Sequence, residues 1–265
     1  MKVEQAKQIA SKAIEELNQA LERGHSEGLR KYLTAMARFH RYSLCNLMLI
    51  LSQRPDATRV AGYQAWKQFG RYVKKGAKGI LIFAPILRKQ ATEDACQEES
   101  AKVAVGFRPV YVFDLADTDG QPLPGFAKTE GNPAGYAERL KEFVAQRNIR
   151  LEYSDAIYPA QGLCSPGKIT LLPGQSPAEE FATLAHEVAH AILHQHERRA
   201  ETTKRIRETE AEAVAFVVCE SIGLQAQRAA DYIQLYSGSK ETLAESLEYV
   251  QRASAEILAA ITQTY

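Results

Sequence analysis

Apolar side chains recur at helical spacing over residues 3–22, where Ile9, Ala13, Ile14, Leu17 and Leu21 share one face and Gly24 closes the run. The same period predicts a second helix over 27–37. A third, almost wholly apolar, covers 43–53, with Ser43 as N-cap and Arg54-Pro55 as its stop. A short helix carrying Tyr63, Trp66 and Phe69 follows. After a Gly/Lys turn at 74–79 the pattern shortens, and Ile80 to Leu87 and Val103 to Leu115 read as the two strands of a long hairpin around a polar, acidic loop at 90–101. Asp117 to Gly120 reads as a turn. Residues 120–135, rich in Pro and Gly, read as a linker. Beyond it the pattern predicts a helix over 134–147, a strand at 149–153, a turn at 161–168 and a strand at 169–172. Helices from 177 and from 208 to Gly223 follow, then two more over 225–236 and 239–263. The expected class is α+β: an N-terminal helical and β-hairpin domain over 1–125, then a mostly helical domain over 126–265.

Charge sharpens this division. Residues 1–128 hold 20 Lys and Arg against 13 Asp and Glu, whereas 129–265 hold 13 against 19. Within 28–89 there are 13 basic residues and one acidic residue, Asp56. A front module so polarised is expected to face a polyanion. No apolar run approaches membrane-spanning length, and the N-terminus does not read as a signal peptide. Cys45, Cys96, Cys164 and Cys219 are scattered without C-x-x-C pairs, so a reducing cytoplasm is the expected setting.

The helix that starts at 177 carries the densest chemistry. Ser176 and Glu179 form a capping-box pattern, and Pro177 sits at the first helical position, where its missing N–H costs nothing. His186 and His190, four residues apart, project from one side and can hold one metal ion. Glu187 lies beside them as a general base. This is the His-Glu-x-x-His arrangement of zinc hydrolases, and it makes one Zn²⁺ per chain the expected cofactor. The five residues alone also occur by chance, as two surface imidazoles and a solvated glutamate.

A catalytic zinc takes three protein ligands. His196 has metzincin spacing from His186, but Leu193 stands where that pattern needs glycine. His194, one turn after His190, lies too far along a straight helix to close on the same ion and is expected to pack nearby or face solvent. The acidic helix offers better candidates, because carboxylates among buried residues must pair or bind metal. Glu208 and Glu212 lie one turn apart on one side. Glu208 is then the ligand and Glu212 the acceptor for a ligand histidine's other N–H, with Glu210 and Glu212 as alternative ligands.

The front module interleaves aromatic and basic residues, as a groove for single-stranded nucleic acid requires: planar faces for bases, cations for phosphates. Arg41, Tyr42, Asn46, Tyr63, Trp66, Arg71, Lys74, Lys75 and Lys78 are the candidates. Core packing competes for Trp66 and Phe69, and a satisfied buried amide competes for Asn46. The Lys74–Gly79 turn lacks the strand-before, helix-after setting of a nucleoside-triphosphate loop.

Two resemblances add to this. His186-Glu187-x-x-His190 followed by Glu208-x-Glu210-Ala211-Glu212 resembles the gluzincins, in particular the small metallopeptidases related to ImmA and IrrE. Their second metal helix reads Glu-x-Glu-Ala-(Asn/Asp)-x-Phe-Ala, so Glu212 and Val214 depart from it. The span from Phe39 to Leu115 is similar to the N-terminal domain of ArdC-type antirestriction proteins. The residues carrying this likeness are Tyr42-Ser43, Asn46, Leu49-Ile50, Gln53, Pro55, Ala57, Gly62, Trp66, Gly70-Arg71, Val73, Lys75-Gly76 and Lys78-Gly79-Ile80. The resemblance implies single-stranded DNA as partner and a C-terminal metallopeptidase-like domain of zincin type. By analogy with gluzincins, the strand at 169–172 would edge the site and pair with an extended peptide. Cys164 is expected to be an inert cysteine, with a cap on the metal as the alternative, and a tyrosine at 232 or 236 is a candidate to assist catalysis. The expected function is therefore a single-stranded-DNA-binding, antirestriction-type protein with a zinc-dependent peptidase centre. The alternative is a non-enzymatic DNA-binding protein whose metal site is structural or vestigial; a third option is a protease regulated by DNA.

Overall fold

A computed structural model describes residues 3–23, 27–89, 102–121, 132–224 and 240–262. The expected loop at 90–101 with Cys96, most of the linker and the expected helix at 225–236 with Tyr232 and Tyr236 lie outside the described residues. The architecture is mixed α+β and divides into two compact units. One comprises Met1–Ala13 and Cys45–Leu123, the other Ile14–Leu44 and Pro124–Tyr265. Among the described residues no helix is long and apolar enough to cross a membrane.

The first unit is a β-hairpin packed on a helix. Strands β3 (Ile80–Lys89) and β4 (Lys102–Asp114) pair antiparallel, with a register shift between Ile86 and Leu87, and β1 (Val60–Gly62) joins the far side of β4. Helix α3 (Leu44–Gln53) buries Leu47, Met48, Leu49 and Ile50. Leu49 packs against Leu81 and Phe83, with Ile9 and Cys45 beside them. The outer edge of β3 is closed by two side-chain amides of α3. Asn46 bonds both the carbonyl (2.8 Å) and the N–H (2.9 Å) of Phe83. Gln53, two turns later, does the same at Leu81, at 2.8 and 3.0 Å. An open edge would leave these groups without protein partners, and α3 supplies them.

Helix α4 (Tyr63–Gln68) carries Trp66 into the core. Thr118 to Gly120, expected as a turn, is instead strand β5, paired antiparallel with β2 (Arg71–Val73). Three-residue strands leave no alternation to detect. The contact is specified by Gly120, whose φ of 137° and lack of a Cβ let it approach to where such an atom would meet Gly70 O at 2.3 Å.

The second unit surrounds helix α8 (Lys204–Ser221), buried from Thr209 to Cys219 apart from Glu212. Its neighbours are α2 (Glu27–Arg38), α6 (Pro177–Leu193) and α9 (Lys240–Ile261); α5 (Gly135–Gln146) packs on α9 and α6. A small sheet completes the unit: β6 (Arg150–Tyr153) runs parallel to β8 (Lys168–Leu171), and β7 (Gly162–Ser165) runs antiparallel to β8. Residues 161–168, expected as a turn, therefore form strand β7 plus a two-residue Pro166-Gly167 turn with Gly167 at φ 70°. The strand expected beside the metal helix, 169–172, is the middle one, and β7 is the outer strand that packs on α6.

Candidate metal centre

Helix α6 begins as its sequence dictates. The Ser176 hydroxyl accepts from the Glu179 N–H, and the Glu179 carboxylate accepts in return from the Ser176 N–H. Two turns on, the Nε2 atoms of His186 and His190 stand 3.1 Å apart. Helix α8 brings Glu208 Oε2 to 3.6 Å from each of them. These three side chains offer donor atoms that all lie within 4.8 Å of one another. Thr203, whose hydroxyl accepts from the Ile206 N–H, starts α8 one turn before Glu208.

The other two carboxylates of α8 point elsewhere. Glu212 Oε2 lies 3.1 Å from His186 Nδ1. Glu210, 1% exposed, lies 3.0 Å from His194 Nε2 and accepts from Ser246 Oγ at 2.6 Å and from Arg198 at 2.5 Å. His194 is buried, not solvent-facing, and its Nδ1 is 2.9 Å from His190 Nδ1. Arg198 also bonds Glu245 at 2.7 Å and stacks on Tyr249. Nothing in a helical wheel pointed to Arg198 or Ser246, because they come from α7 (His196–Glu201) and α9. The side chain of His196 lies outside the described residues.

Glu187 is 7% exposed and accepts from the backbone N–H of Cys164 on β7. Burial pushes its carboxyl above the ordinary range. Burial alone would lower His186, but Glu208 and Glu212 lift it to about 9. In turn His186 and His190 hold Glu208 well below the usual carboxylate range. A cluster that so favours positive charge is chemically suited to a cation. Burial, then Glu187, raises the Cys164 thiol to about 11, which keeps it protonated.

The expected DNA-contacting residues divide. Trp66 is 2% exposed and its indole N–H donates to Phe113 O at 2.9 Å, so its face is not open to a base. Arg71 is committed to β5: Nε donates to the Thr118 hydroxyl, Nη2 to Thr118 O and Nη1 to Gly120 O. Lys74 donates to Ala116 O at 3.1 Å and faces Asp119. Asn46 closes the β3 edge. Trp66, Arg71 and Asn46 hold the fold together, because their donors are spent on strand acceptors at Phe113, Thr118 and Phe83, whereas the Lys74 side chain stays exposed. Lys75, Lys78 and Tyr63 are exposed, and so are Phe69, for which core packing competes in the sequence, and Tyr72 and Tyr111, which are not among the sequence candidates. Arg41 is exposed and Tyr42 half-buried, edge-on to Phe39; both belong to the second unit.

Comparison with known proteins bears on the front of the chain. Residues 4–113 match the family model of the N-terminal domain of the anti-restriction factor ArdC. An uncharacterized protein of Bacillus anthracis, pXO2-81, is 23% identical over 292 residues, covering 94% of this chain and 49% of its own length, so the chain spans about half of that relative. Among solved structures, the chain is similar to the antirestriction protein ArdC of plasmid R388. The metal-free form gives a TM-score of 0.48 at 23% identity over 83% of each chain, and the Mn(II)-bound form 0.47 at 21% over 84% and 85%.

Proposed function

We propose that this chain is an ArdC-type antirestriction protein in which residues 1–125 bind single-stranded DNA and residues 126–265 form a minimal gluzincin-type metallopeptidase centre. One observation carries the second half: His186, His190 and Glu208 converge with donor separations of 3.1, 3.6 and 3.6 Å. In a tetrahedral shell with bonds of about 2.0–2.1 Å, donor atoms stand roughly 3.3 Å apart, so this set fits a zinc-sized divalent cation. Bound there, the cation would supply Lewis acidity towards a scissile carbonyl and acidify water. Glu187 takes the proton from the attacking water and returns it to the leaving amine. Cys164 N–H holds that carboxylate in place. Glu212 accepts from His186 Nδ1–H, which leaves the Nε2 lone pair facing the cluster. An extended peptide would lie along β7, the outer strand beside α6. The family match over residues 4–113, the exposed rings of Tyr63, Phe69, Tyr72 and Tyr111, and the exposed Lys75 and Lys78 support DNA binding by the front module.

The test is Glu187→Gln in the full chain, with metal content and hydrolysis of a quenched peptide library read in parallel. The expected result is one Zn²⁺ or Mn²⁺ per chain, as in wild type, with hydrolysis lost. Hydrolysis at the wild-type rate refutes the role of Glu187. Metal uptake with no hydrolysis in wild type, and DNA binding abolished by EDTA, assigns the ion a structural role instead.

A further inference from the structure

We infer that His194 is a positioning residue for the metal centre: it fixes the tautomer of His190 and ties that ligand, through Glu210, to helix α9. This rests on the proposal that His186, His190 and Glu208 hold a metal.

The Nε2 atoms of His186 and His190 face each other and Glu208, so those are the nitrogens that must present lone pairs. Each ring must then carry its proton on Nδ1 and donate it outward. His186 does so directly to a carboxylate, Glu212, at 3.1 Å. Among the described residues no carboxylate takes that position at His190. Its Nδ1 is 2.9 Å from another imidazole nitrogen, His194 Nδ1. Two ring nitrogens at that distance share one proton, so His194 Nδ1 is the acceptor. The remaining proton of a neutral His194 is therefore on Nε2, 3.0 Å from Glu210 Oε2, and is donated there. The chain of donors has one direction: His190 Nδ1–H to His194, His194 Nε2–H to Glu210.

Glu210 is held as an acceptor by its surroundings. It is 1% exposed, and its other oxygen receives the Ser246 hydroxyl and the Arg198 guanidinium. Arg198 is anchored in turn by Glu245 and by the ring of Tyr249, 3.4 Å from its Cζ. Ser246, Glu245 and Tyr249 all come from α9. The two ligand histidines thus have different outer partners. One bonds a carboxylate on the same helix as Glu208; the other reaches a carboxylate only through His194, buttressed from a third helix. The sequence spells this as three histidines at 186, 190 and 194, one per turn of α6 and its C-cap.

The test uses the full chain with Zn²⁺ and with Co²⁺ as spectroscopic probe. His194→Phe keeps the volume and removes the acceptor. Partners of ligand histidines are worth about 10–100-fold in metal affinity, so this variant should lose that factor and shift the Co²⁺ d–d bands. His194→Gln, whose carbonyl can accept from His190 and whose amide can donate to Glu210, should recover most of it. Nitrogen-15 NMR of the zinc-loaded wild type should find His194 protonated on Nε2 and bare on Nδ1. A folded His194→Phe with affinity within twofold of wild type overturns the inference, as does a His194 proton on Nδ1, which is decisive even if His194→Phe does not fold. Failure of wild type to bind either metal overturns the metal-site proposal itself, a distinct outcome.

Discussion

Gly162→Ala probes how closely β7 is pressed against the centre. A Cβ at Gly162 would lie 2.6 Å from Glu187 Oε1, 2.7 Å from Thr183 Cγ2 and 2.8 Å from Glu187 Cγ. Contact becomes ordinary at 3.4 Å, so the strand or the carboxylate must move by roughly 0.8 Å. Overpacking of this size costs about 2 kcal/mol. The movement also opens the bond from Cys164 N–H to a buried carboxylate, worth about 2 kcal/mol. Alanine narrows the unfolded ensemble and returns about 0.7 kcal/mol. The net loss is about 3 kcal/mol, or roughly 6–12 °C in Tm for a chain of this size. Differential scanning fluorimetry of the metal-free protein measures it, with Gly135→Ala, where a Cβ meets nothing within 4 Å, as the control that gains only the unfolded-chain contribution of about 0.7 kcal/mol, a rise of roughly 1.5–3 °C. A Gly162→Ala protein that melts with wild type, and binds metal equally well, would show that β7 does not seat Glu187.

Three further outcomes are expected. Trp66→Ala destabilises the protein by about 3–5 kcal/mol in urea titrations, whereas Tyr72→Ala leaves stability unchanged and weakens binding of an oligo-dT strand by roughly 5–150-fold in fluorescence anisotropy; the reverse pattern contradicts the assignment of core and surface rings. Lys75→Ala with Lys78→Ala lowers the slope of log K against log salt by about 1.4, at 0.7 per phosphate contact, and an unchanged slope excludes both lysines from the backbone contact. Burial holds the His40 imidazole below its ordinary 6.5. The unfolded chain therefore takes that proton first, so the stability His40 contributes is full above pH 6.5 and is lost as pH falls below it. His40→Gln should flatten the loss of stability between pH 7.5 and 5.5, and an equally steep loss in the variant contradicts it.

Much of this was legible in the chain because its signals are local. The capping box at Ser176, the four-residue spacing of His186 and His190, and the apolar period of α3 each follow from neighbours in sequence. The two ends of the hairpin were also readable, since β3 and β4 are long enough for their apolar content to stand out. What escaped depends on pairs distant in sequence. Strands β2, β5 and β7 are three or four residues long, and each exists because a partner edge or a bare glycine lets it approach. Trp66 and Arg71 look like nucleic-acid contacts in sequence; only the backbone of Phe113 and Thr118, 47 residues away, shows where their donors go. A straight helix carries His194 too far from His190 to close on the same ion, and its sequence neighbours give it no other role. Helix α6 ends at Leu193, and the partner that gives His194 its place is Glu210 on another helix.

The central claim is that two imidazoles and one carboxylate from α6 and α8 close on a single divalent cation. X-ray absorption at the zinc edge of the loaded full-length chain tests it most directly. The prediction is two imidazole nitrogens and oxygen ligands, all at about 2.0–2.1 Å, with one imidazole lost in His190→Ala. A sulfur scatterer at about 2.3 Å, or a spectrum unchanged in His190→Ala, contradicts it.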